Sequence, residues 1–323
     1  MSSVEQRTLE SDTSTSRDTN HLPRRPLGRT GLEVTPIGLG GGYLGWTPEG
    51  FDDGLAVETV LRALEHGINL IDTSPGYGES ERRIGLALEA YQRRGGRREN
   101  FILATKTGSR VQPHDYSGEH TRHSVQQSMR LLKTDRLDIV HVHDPGDLTP
   151  ALAPGGALDV LERFKSEGVI GAIGLGVREH SLLRQFIDTG RADVVLTFGD
   201  YNLIDRSAGP GVLDPAAARG VGVINAMALL AGVLVRESPR ALNEVYGIPG
   251  KPQQQAAARQ LAAWADERGI PMLDLALQFC VREPRIATTL VGAAVASQID
   301  ADVAALGQPI SESVWREFQE RPC

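Results

Sequence analysis

One loop of this sequence carries two side chains that are suited to proton transfer. The apolar run 68–71 ends at Asp72, and the segment D-T-S-P-G-Y-G-E-S-E that begins there contains Tyr77. Its glycines and proline are typical of a turn that follows a short buried strand. A tyrosine hydroxyl can exchange a proton with a substrate oxygen, although its ordinary pKa of about 10 is high for work at neutral pH.

A lysine and a histidine end the next two apolar runs, Lys106 the first and His143 the second. An ammonium group beside Tyr77 would lower the pKa of the phenol, and the Asp72 carboxylate would hold that ammonium in place. The carboxyl ends of parallel strands meet at one face of a barrel. We therefore expect these four side chains to converge there.

Strand and helix signals alternate along the chain, and most strands begin about 25–35 residues after the last, the length of one βα unit. This pattern predicts the α/β class, as a (β/α)8 barrel with a hairpin at 27–34 that closes its lower end. We expect residues 23–323 to form this single domain, with a disordered polar tail at 1–22 and a long insertion at about 229–253. Strands are expected at 35–39, 68–72, 101–106, 137–143, 170–176, 194–198, 221–225 and 287–291, and helices at 53–66, 79–91, 121–132, 156–167, 181–188, 214–219, 253–268, 271–282 and 313–320.

The chain resembles the aldo-keto reductases over about residues 24–310. The matching segments are the D-T-S-P-G-Y-G-E-S-E loop, A-T-K ending at Lys106, H-V-H-D-P around His143, L-G-R-T-G-L-E-V-T-P-I-G-L-G-G-G from Leu27, and L-V-G-A from Leu290. The resemblance implies a (β/α)8 barrel with a catalytic tetrad of Asp72, Tyr77, Lys106 and His143. It also implies direct hydride transfer to or from an NAD(P) cofactor, with Tyr77 as general acid and base and His143 orienting the substrate oxygen.

Several cofactor contacts of the family are replaced in this sequence. Gly176 and Val177 stand where many members have Ser-Asn, Phe198 where they have Gln, and Ala226 where a Tyr stacks on the nicotinamide. These replacements resemble the subgroup of sugar dehydrogenases that act on L-galactose, L-fucose and related aldoses. The resemblance places the cofactor against Gly41, Asp72, Gly176, Ala226, Leu229, Leu230, Gly232, Gly292, Ser297 and Gln298, with the loop 228–234 over the pyrophosphate.

The segment 292–302 favours NAD over NADP as the cofactor. A 2′-phosphate needs cationic donors, ideally an Arg fork, and this segment holds neither Lys nor Arg. Gln298 stands where the phosphate-binding Arg of the family would fall, and Asp300 and Asp302 are expected to repel a phosphate. A basic residue from the insertion 236–251 could reverse this preference.

The glycines Gly40, Gly42 and Gly45 match a dinucleotide fingerprint by letter, but no long helix can follow because Pro48 and Gly50 intervene. We interpret them as a loop that passes close to the substrate or nicotinamide. Tyr43 and Trp46 are candidate walls for a sugar ring, and Tyr77 and His143 would bind its reacting oxygen. We expect oxidation of an aldose of the L-fucose, L-galactose or D-arabinose type at C1 to the lactone. The alternative is NADPH-dependent reduction of an aldehyde or ketone.

Two other classes of protein remain as rivals. His141 and His143 lie on the same side of their strand and could be metal ligands of a barrel hydrolase, completed by His114, His120 or His123. No later strand ends in a clear ligand, and Lys106 would place an ammonium in that site, so we expect no metal. A catalytically silent nucleotide-binding barrel is the second rival, and the complete tetrad argues against it.

Composition excludes some partners and compartments. The net charge of −7 and the lack of a basic stripe argue against nucleic-acid binding, and no apolar run is long enough for a membrane span. The two cysteines, Cys280 and Cys323, fit a reducing cytoplasm. A small sugar or carbonyl compound is the expected partner, while the particular substrate and the oligomeric state stay open.

Overall fold

A closed parallel barrel forms the centre of the molecule. The structure is a computed structural model that describes residues 22–45, 52–109, 114–235 and 252–321. Its strands are β1 (Arg25–Pro26), β2 (Glu33–Val34), β3 (Ile37–Gly40), β4 (Leu70–Asp72), β5 (Ile102–Thr107), β6 (Leu137–His143), β7 (Ile170–Gly176), β8 (Val194–Phe198), β9 (Gly222–Ala226) and β10 (Thr288–Gly292). The barrel order is β10-β3-β4-β5-β6-β7-β8-β9, which confirms the predicted (β/α)8 fold.

Helices follow the strands in the manner of βα units. They are α1 (Gly42–Gly45), α2 (Asp53–Glu65), α3 (Ser80–Arg93), α4 (Gly118–Leu131), α5 (Thr149–Leu152), α6 (Ala157–Ser166), α7 (His180–Asp188), α8 (Asp214–Ala218), α9 (Pro252–Asp266), α10 (Met272–Val281), α11 (Ala296–Gly307) and α12 (Glu312–Glu320). Asp52 and Ser117 cap two of them, because their side-chain oxygens accept from the backbone N–H groups of Leu55 and His120. Among the described residues, no helix has the length and apolar character needed to cross a membrane.

Alternating side chains of the strands fill the barrel interior. One buried cluster joins inward-facing apolar residues of the strands to two residues of the N-terminal hairpin, Leu27 and Val34. The hairpin strands β1 and β2 pair antiparallel, and Arg29 N–H donates to the carbonyl of Gly220 at 2.8 Å. The predicted hairpin that closes the barrel is thus confirmed, at the amino-terminal end of the strands. The opposite end stays available for the site.

One local prediction was wrong. The segment with Gly40, Gly42 and Gly45 was expected to be a loop, but Gly42–Gly45 forms one helical turn, α1. Ser80 is the first residue of α3. Its hydroxyl donates to the carbonyl of Gly41 at 2.7 Å and lies 2.8 Å from the Thr73 hydroxyl, so it joins the loop after β4 to the loop after β3.

Candidate active site

The four predicted catalytic side chains meet at the carboxyl end of three adjacent strands. Asp72 is the last residue of β4, Lys106 lies near the end of β5, and His143 is the last residue of β6. Tyr77 lies in the turn between β4 and α3. Strand register explains this arrangement, because Lys106 on β5 pairs with His141 on β6. Side chains alternate along a strand, so Lys106, His141 and His143 all point into the barrel.

A buried ion pair anchors the site. The side chain of Lys106 is 1% exposed and that of Asp72 is 3% exposed, so neither charge has solvent to compensate it. The ammonium donates to Oδ1 of Asp72 and, at 2.8 Å, to the carbonyl oxygen of Thr73. Burial raises the pKa of Asp72, and the adjacent Lys106 ammonium opposes that rise. Each charge therefore depends on the other to be stable inside the barrel.

Tyr77 lies directly beside this pair. The Lys106 ammonium is 4.9 Å from the centroid of the phenol ring, within the range of a cation–π contact. The turn is held by two backbone bonds, Tyr77 N–H to Ser74 O and Ser80 N–H to Tyr77 O, both 3.0 Å long. The α-carbon of Gly45 packs against this turn so closely that a β-carbon would overlap the carbonyl oxygen of Tyr77.

The protonation of Tyr77 corrects one expectation. Lys106 was expected to lower the pKa of the phenol. Instead, desolvation raises the pKa of Tyr77 well above its ordinary value, and the carboxylates of Asp72 and Asp144 add to the rise. The ammonium lies over the face of the ring and donates to Asp72 and Thr73. Tyr77 is therefore a neutral phenol at neutral pH and is ready to donate a proton.

The rings of His143 and Tyr77 form a T-shaped pair, with a centroid distance of 5.9 Å and an interplanar angle of 85°. Its Nδ1 lies 2.5 Å from the hydroxyl of Ser109 and 3.4 Å from that of Ser74. Burial, followed by the Lys106 ammonium, holds the pKa of His143 well below its usual range. The imidazole is thus neutral, and when Ser109 donates to Nδ1 the proton lies on Nε2.

Sequence reasoning missed two residues that position His143. Ser109 lies just beyond β5, in a loop whose path the strand pattern does not define. Tyr116 donates its hydroxyl to the backbone carbonyl of His143 at 2.8 Å. Three hydroxyl groups, from Ser74, Ser109 and Tyr116, therefore surround this histidine. In the sequence, only the positions of Ser74 and Ser109 just after two strands could have indicated that they contact His143.

His141 has a different environment. Its side chain is fully buried in the barrel, and both ring nitrogens lack a partner among the described residues. Burial lowers the pKa of His141 to about 3. Within the described ranges, no group of three His, Cys, Asp or Glu side chains is arranged to hold a metal. The metal-hydrolase hypothesis, including its ligands His114, His120 and His123, gains no support from this geometry.

The arrangement can bind and protonate a carbonyl oxygen. A phenol hydroxyl and an imidazole N–H at one barrel mouth can both donate to that oxygen, which makes its carbon electrophilic. The sequence model of the Aldo/keto reductase family matches residues 36–321, which include every residue of this group. The chain belongs to the aldo-keto reductase family. It is therefore an oxidoreductase of a family that uses nicotinamide cofactors on small carbonyl or sugar substrates.

Individual aldo-keto reductase relatives agree over most of the chain. L-galactose dehydrogenase of Arabidopsis thaliana is 34% identical over 291 residues, which cover 87% of this chain and 87% of that protein. D-threo-aldose 1-dehydrogenase of Pseudomonas sp is 25% identical over 318 residues, covering 90% of this chain and 94% of that protein. The holo form of an aldo-keto reductase from Bacillus halodurans superposes with a TM-score of 0.73 at 25% identity, over 93% of this chain and 96% of that chain.

Small residues occupy two inward strand ends beside the tetrad. Gly176 and Ala226 are the last residues of β7 and β9, and a β-carbon added at Gly176 would make only ordinary contacts of 3.8–3.9 Å. Phe198 ends β8 between them, and the Arg178 guanidinium lies 4.6 Å above its ring. These residues fit the planar ring of the cofactor that the family uses.

Two predicted cofactor glycines are already packed by protein. A β-carbon at Gly41 would lie 2.7 Å from the Ser80 hydroxyl and 2.9 Å from the Asp72 carbonyl, so Gly41 is required for the contact between two loops. A β-carbon at Gly292 would overlap the ring of Tyr43. Tyr43 therefore lies over the end of β10 as part of the mouth wall. Trp46, the other predicted wall residue, lies outside the described residues.

The loop expected to cover the pyrophosphate has an unusual backbone. Leu230 and Ala231 have φ values of 48° and 52°, in a region that residues with a β-carbon rarely adopt, and Gly232 has φ 89°. Leu229 precedes this turn, and the N–H of Gly232 donates to its carbonyl at 3.0 Å. Such strain is maintained only where the surroundings hold it in place, and it is concentrated at functional sites. The rest of the insertion, 236–251, lies outside the described residues.

The segment after β10 corrects the electrostatic argument against a 2′-phosphate. Asp300 is paired with Arg62 and His66, each at 2.6 Å, so its charge is offset. Asp302 is buried on the inner side of α11, and burial raises its pKa to about 7. Contrary to the expectation, neither carboxylate is placed to repel a phosphate. Gln298 instead folds back, and its Oε1 accepts from the N–H groups of Ala294 and Val295 at 2.7 and 3.3 Å, while Ser297 beside it is exposed.

Proposed function

We propose that this aldo-keto reductase oxidises an aldose at C1 to the lactone with NAD as hydride acceptor. The observation that carries the proposal is the tetrad at the barrel mouth beside the small residues Gly176 and Ala226, in a chain that is similar to two sugar dehydrogenases. L-Fucose, L-galactose and D-arabinose are the substrates to test first. Residues 23–323 would act as one barrel domain in the cytoplasm.

Each residue of the tetrad has a defined task in this proposal. Nε2 of His143 donates to the oxygen on C1 and orients it toward the Tyr77 hydroxyl, which exchanges the proton of that oxygen. Lys106 and Asp72 fix the turn and ring position of Tyr77 through the buried ion pair. The nicotinamide supplies the hydride acceptor, or the donor in the reverse reaction. The protein contributes orientation and electrostatics, while the hydride chemistry belongs to the cofactor.

The cofactor preference rests on the start of α11. An adenosine 2′-phosphate would need an arginine side chain there, but Gln298 occupies that position. Its side-chain oxygen accepts from the backbone N–H groups of Ala294 and Val295, just before α11 begins. Arg62, the nearby cation on α2, is already paired with Asp300 at 2.6 Å. These contacts support NAD as the preferred cofactor, with NADP as the alternative.

One observation favours the second candidate function, reduction of an aldehyde or ketone with NADPH. The raised pKa of Tyr77 keeps its proton in place at neutral pH, which suits a proton donor to a carbonyl. Oxidation requires the same hydroxyl to be deprotonated first. The two directions thus share one site and differ in the protonation of one phenol.

Steady-state assays separate these functions. NAD reduction is followed with the three sugars, and NADH or NADPH oxidation is followed with simple aldehydes, after titration of each cofactor by fluorescence. We expect turnover of at least one sugar with NAD and tighter binding of NADH than NADPH. No turnover of any sugar, together with turnover of aldehydes by NADPH, would contradict the dehydrogenase proposal. Activity that survives a strong chelator would argue against the metal-hydrolase alternative.

A further inference from the structure

The residue that follows His143 has a strained backbone. Asp144 has φ 45°, a left-handed conformation that is costly for a residue with a β-carbon, although Asp and Asn tolerate it better than most. Its N–H donates to the carbonyl of Gly176 at 2.9 Å, which fixes this backbone against the end of β7. Outliers of this kind are retained where the surroundings hold them for a purpose.

The strained backbone turns the Asp144 side chain toward the substrate side of His143. Oδ2 of Asp144 lies 3.5 Å from Nε2 of His143, while Nδ1 on the other side of the ring faces Ser109. The same carboxylate is close enough to Tyr77 to raise the pKa of its phenol. Asp144 therefore faces the space in which a reacting oxygen would contact both Nε2 and the phenol.

This carboxylate is open to a ligand. The side chain of Asp144 is 53% exposed, and it accepts no hydrogen bond from the residues that the structure describes. Partial burial raises the pKa of Asp144, and the guanidinium of Arg178 is the strongest of the charges that oppose this rise. An acceptor held beside the reacting oxygen, with no hydrogen-bond donor among the described residues, can take hydrogen bonds from a substrate.

We propose that Asp144 determines substrate specificity by accepting hydrogen bonds from a hydroxyl on the carbon next to the reacting carbon. Two polar groups 3.5 Å apart can be contacted by oxygens on neighbouring carbons, one at Nε2 of His143 and the other at the carboxylate. The favoured substrates are then 2-hydroxyaldehydes, the class to which aldoses belong. This inference rests on the proposed function for its substrate class, and its test does not require that any aldose be oxidised.

The test compares two aldehydes of equal carbon number, glyceraldehyde and propionaldehyde, which differ in their hydroxyl groups. The ratio of their kcat/KM values in the reducing direction is measured for the wild type, Asp144→Asn and Asp144→Gly. Both substitutions accommodate a positive φ, so the backbone is kept while the charge is removed. Hydration of the aldehydes cancels because each variant's ratio is compared with that of the wild type.

A matched control is available on the same loop. The Asp147 carboxylate accepts from the N–H and the hydroxyl of Thr149, at 3.0 and 2.9 Å, and so serves its own turn. Asp147→Asn should leave the substrate ratio within about twofold of the wild type, since a surface substitution of this kind changes little.

Both Asp144 variants should lower the preference for glyceraldehyde about tenfold or more, the factor that one charge-assisted hydrogen bond supplies. An unchanged ratio would overturn the inference. An equal fall for both aldehydes would also overturn it, because the carboxylate would then act on Tyr77 or His143 and not on the substrate. If glyceraldehyde shows the effect while no aldose reacts with NAD, the proposed oxidation fails and the specificity inference stands.

Discussion

Replacement of Lys106 by methionine tests the buried ion pair through stability as well as activity. Methionine keeps the length of the side chain but leaves Asp72 as an uncompensated buried carboxylate. The loss of one partner of a buried pair costs about 3–5 kcal/mol of unfolding free energy. Both groups are at most 3% exposed, so solvent cannot reduce this cost. We expect the urea midpoint at pH 8 to fall by roughly 1 M or more.

The pH dependence gives the sign of this effect. Burial raises the pKa of Asp72, and the variant lacks the ammonium that opposes the rise. A carboxyl group whose pKa is higher in the folded state than in the unfolded state binds its proton more readily when folded. The variant's deficit is therefore largest above the folded-state pKa and shrinks as the pH falls. Unfolding followed by circular dichroism at pH 5, 6.5 and 8 should show this trend.

Matched variants separate charge from packing. Asp72→Asn leaves the Lys106 ammonium with only neutral acceptors, among them the Thr73 carbonyl at 2.8 Å, and the uncompensated buried charge should also destabilise the protein. The double variant carries neither charge and should recover at least half of the loss, because contacting residues are not additive. A loss below about 1 kcal/mol at pH 8, or one that is independent of pH, would refute the buried-pair interpretation.

Three further predictions concern the groups around the tetrad. Ser109→Ala removes the hydroxyl that lies 2.5 Å from Nδ1 of His143 and should lower kcat about five- to tenfold, whereas Ser109→Thr should restore it. An unchanged kcat in Ser109→Ala would show that the Ser74 hydroxyl alone is enough to position His143. Because the pKa of Tyr77 is raised, kcat/KM for oxidation should rise about tenfold per pH unit between pH 6 and 9, while kcat/KM for reduction stays nearly constant. If kcat/KM for oxidation does not change with pH, a group other than Tyr77 exchanges the proton. Gly45→Ala places a β-carbon against the Tyr77 carbonyl and should lower kcat at least about tenfold. The control Gly307→Ala, whose β-carbon meets no atom within 4 Å, should leave kcat unchanged. Equal kcat values for the two variants would show that the Tyr77 turn can move without loss of activity.

The barrel and its tetrad could be predicted because both depend on short-range patterns. Apolar runs that end in Asp72, Lys106 and His143 define strands, and parallel strands bring their ends together. The predicted bounds of β6, β7 and β8 match the structure residue for residue, since each run is long and flanked by turn residues.

The protonation states could not be predicted, because they depend on three-dimensional surroundings. The pKa of Tyr77 depends on its desolvation and on Asp144, a residue that the pattern treats as part of a turn. Asp302 looked like a surface charge, but helix rotation places it inside. Ser109 follows a strand in a loop, where sequence gives no direction for a side chain.

The most direct test of the account is the turnover of Tyr77→Phe with cofactor bound. Phenylalanine retains the ring that faces Lys106 at 4.9 Å and His143 at 5.9 Å, and it removes only the hydroxyl. We expect kcat to fall about 10²- to 10⁴-fold in both directions while the dissociation constant for NADH changes less than about twofold. A kcat close to that of the wild type would contradict the assignment of the phenol as the proton donor and acceptor.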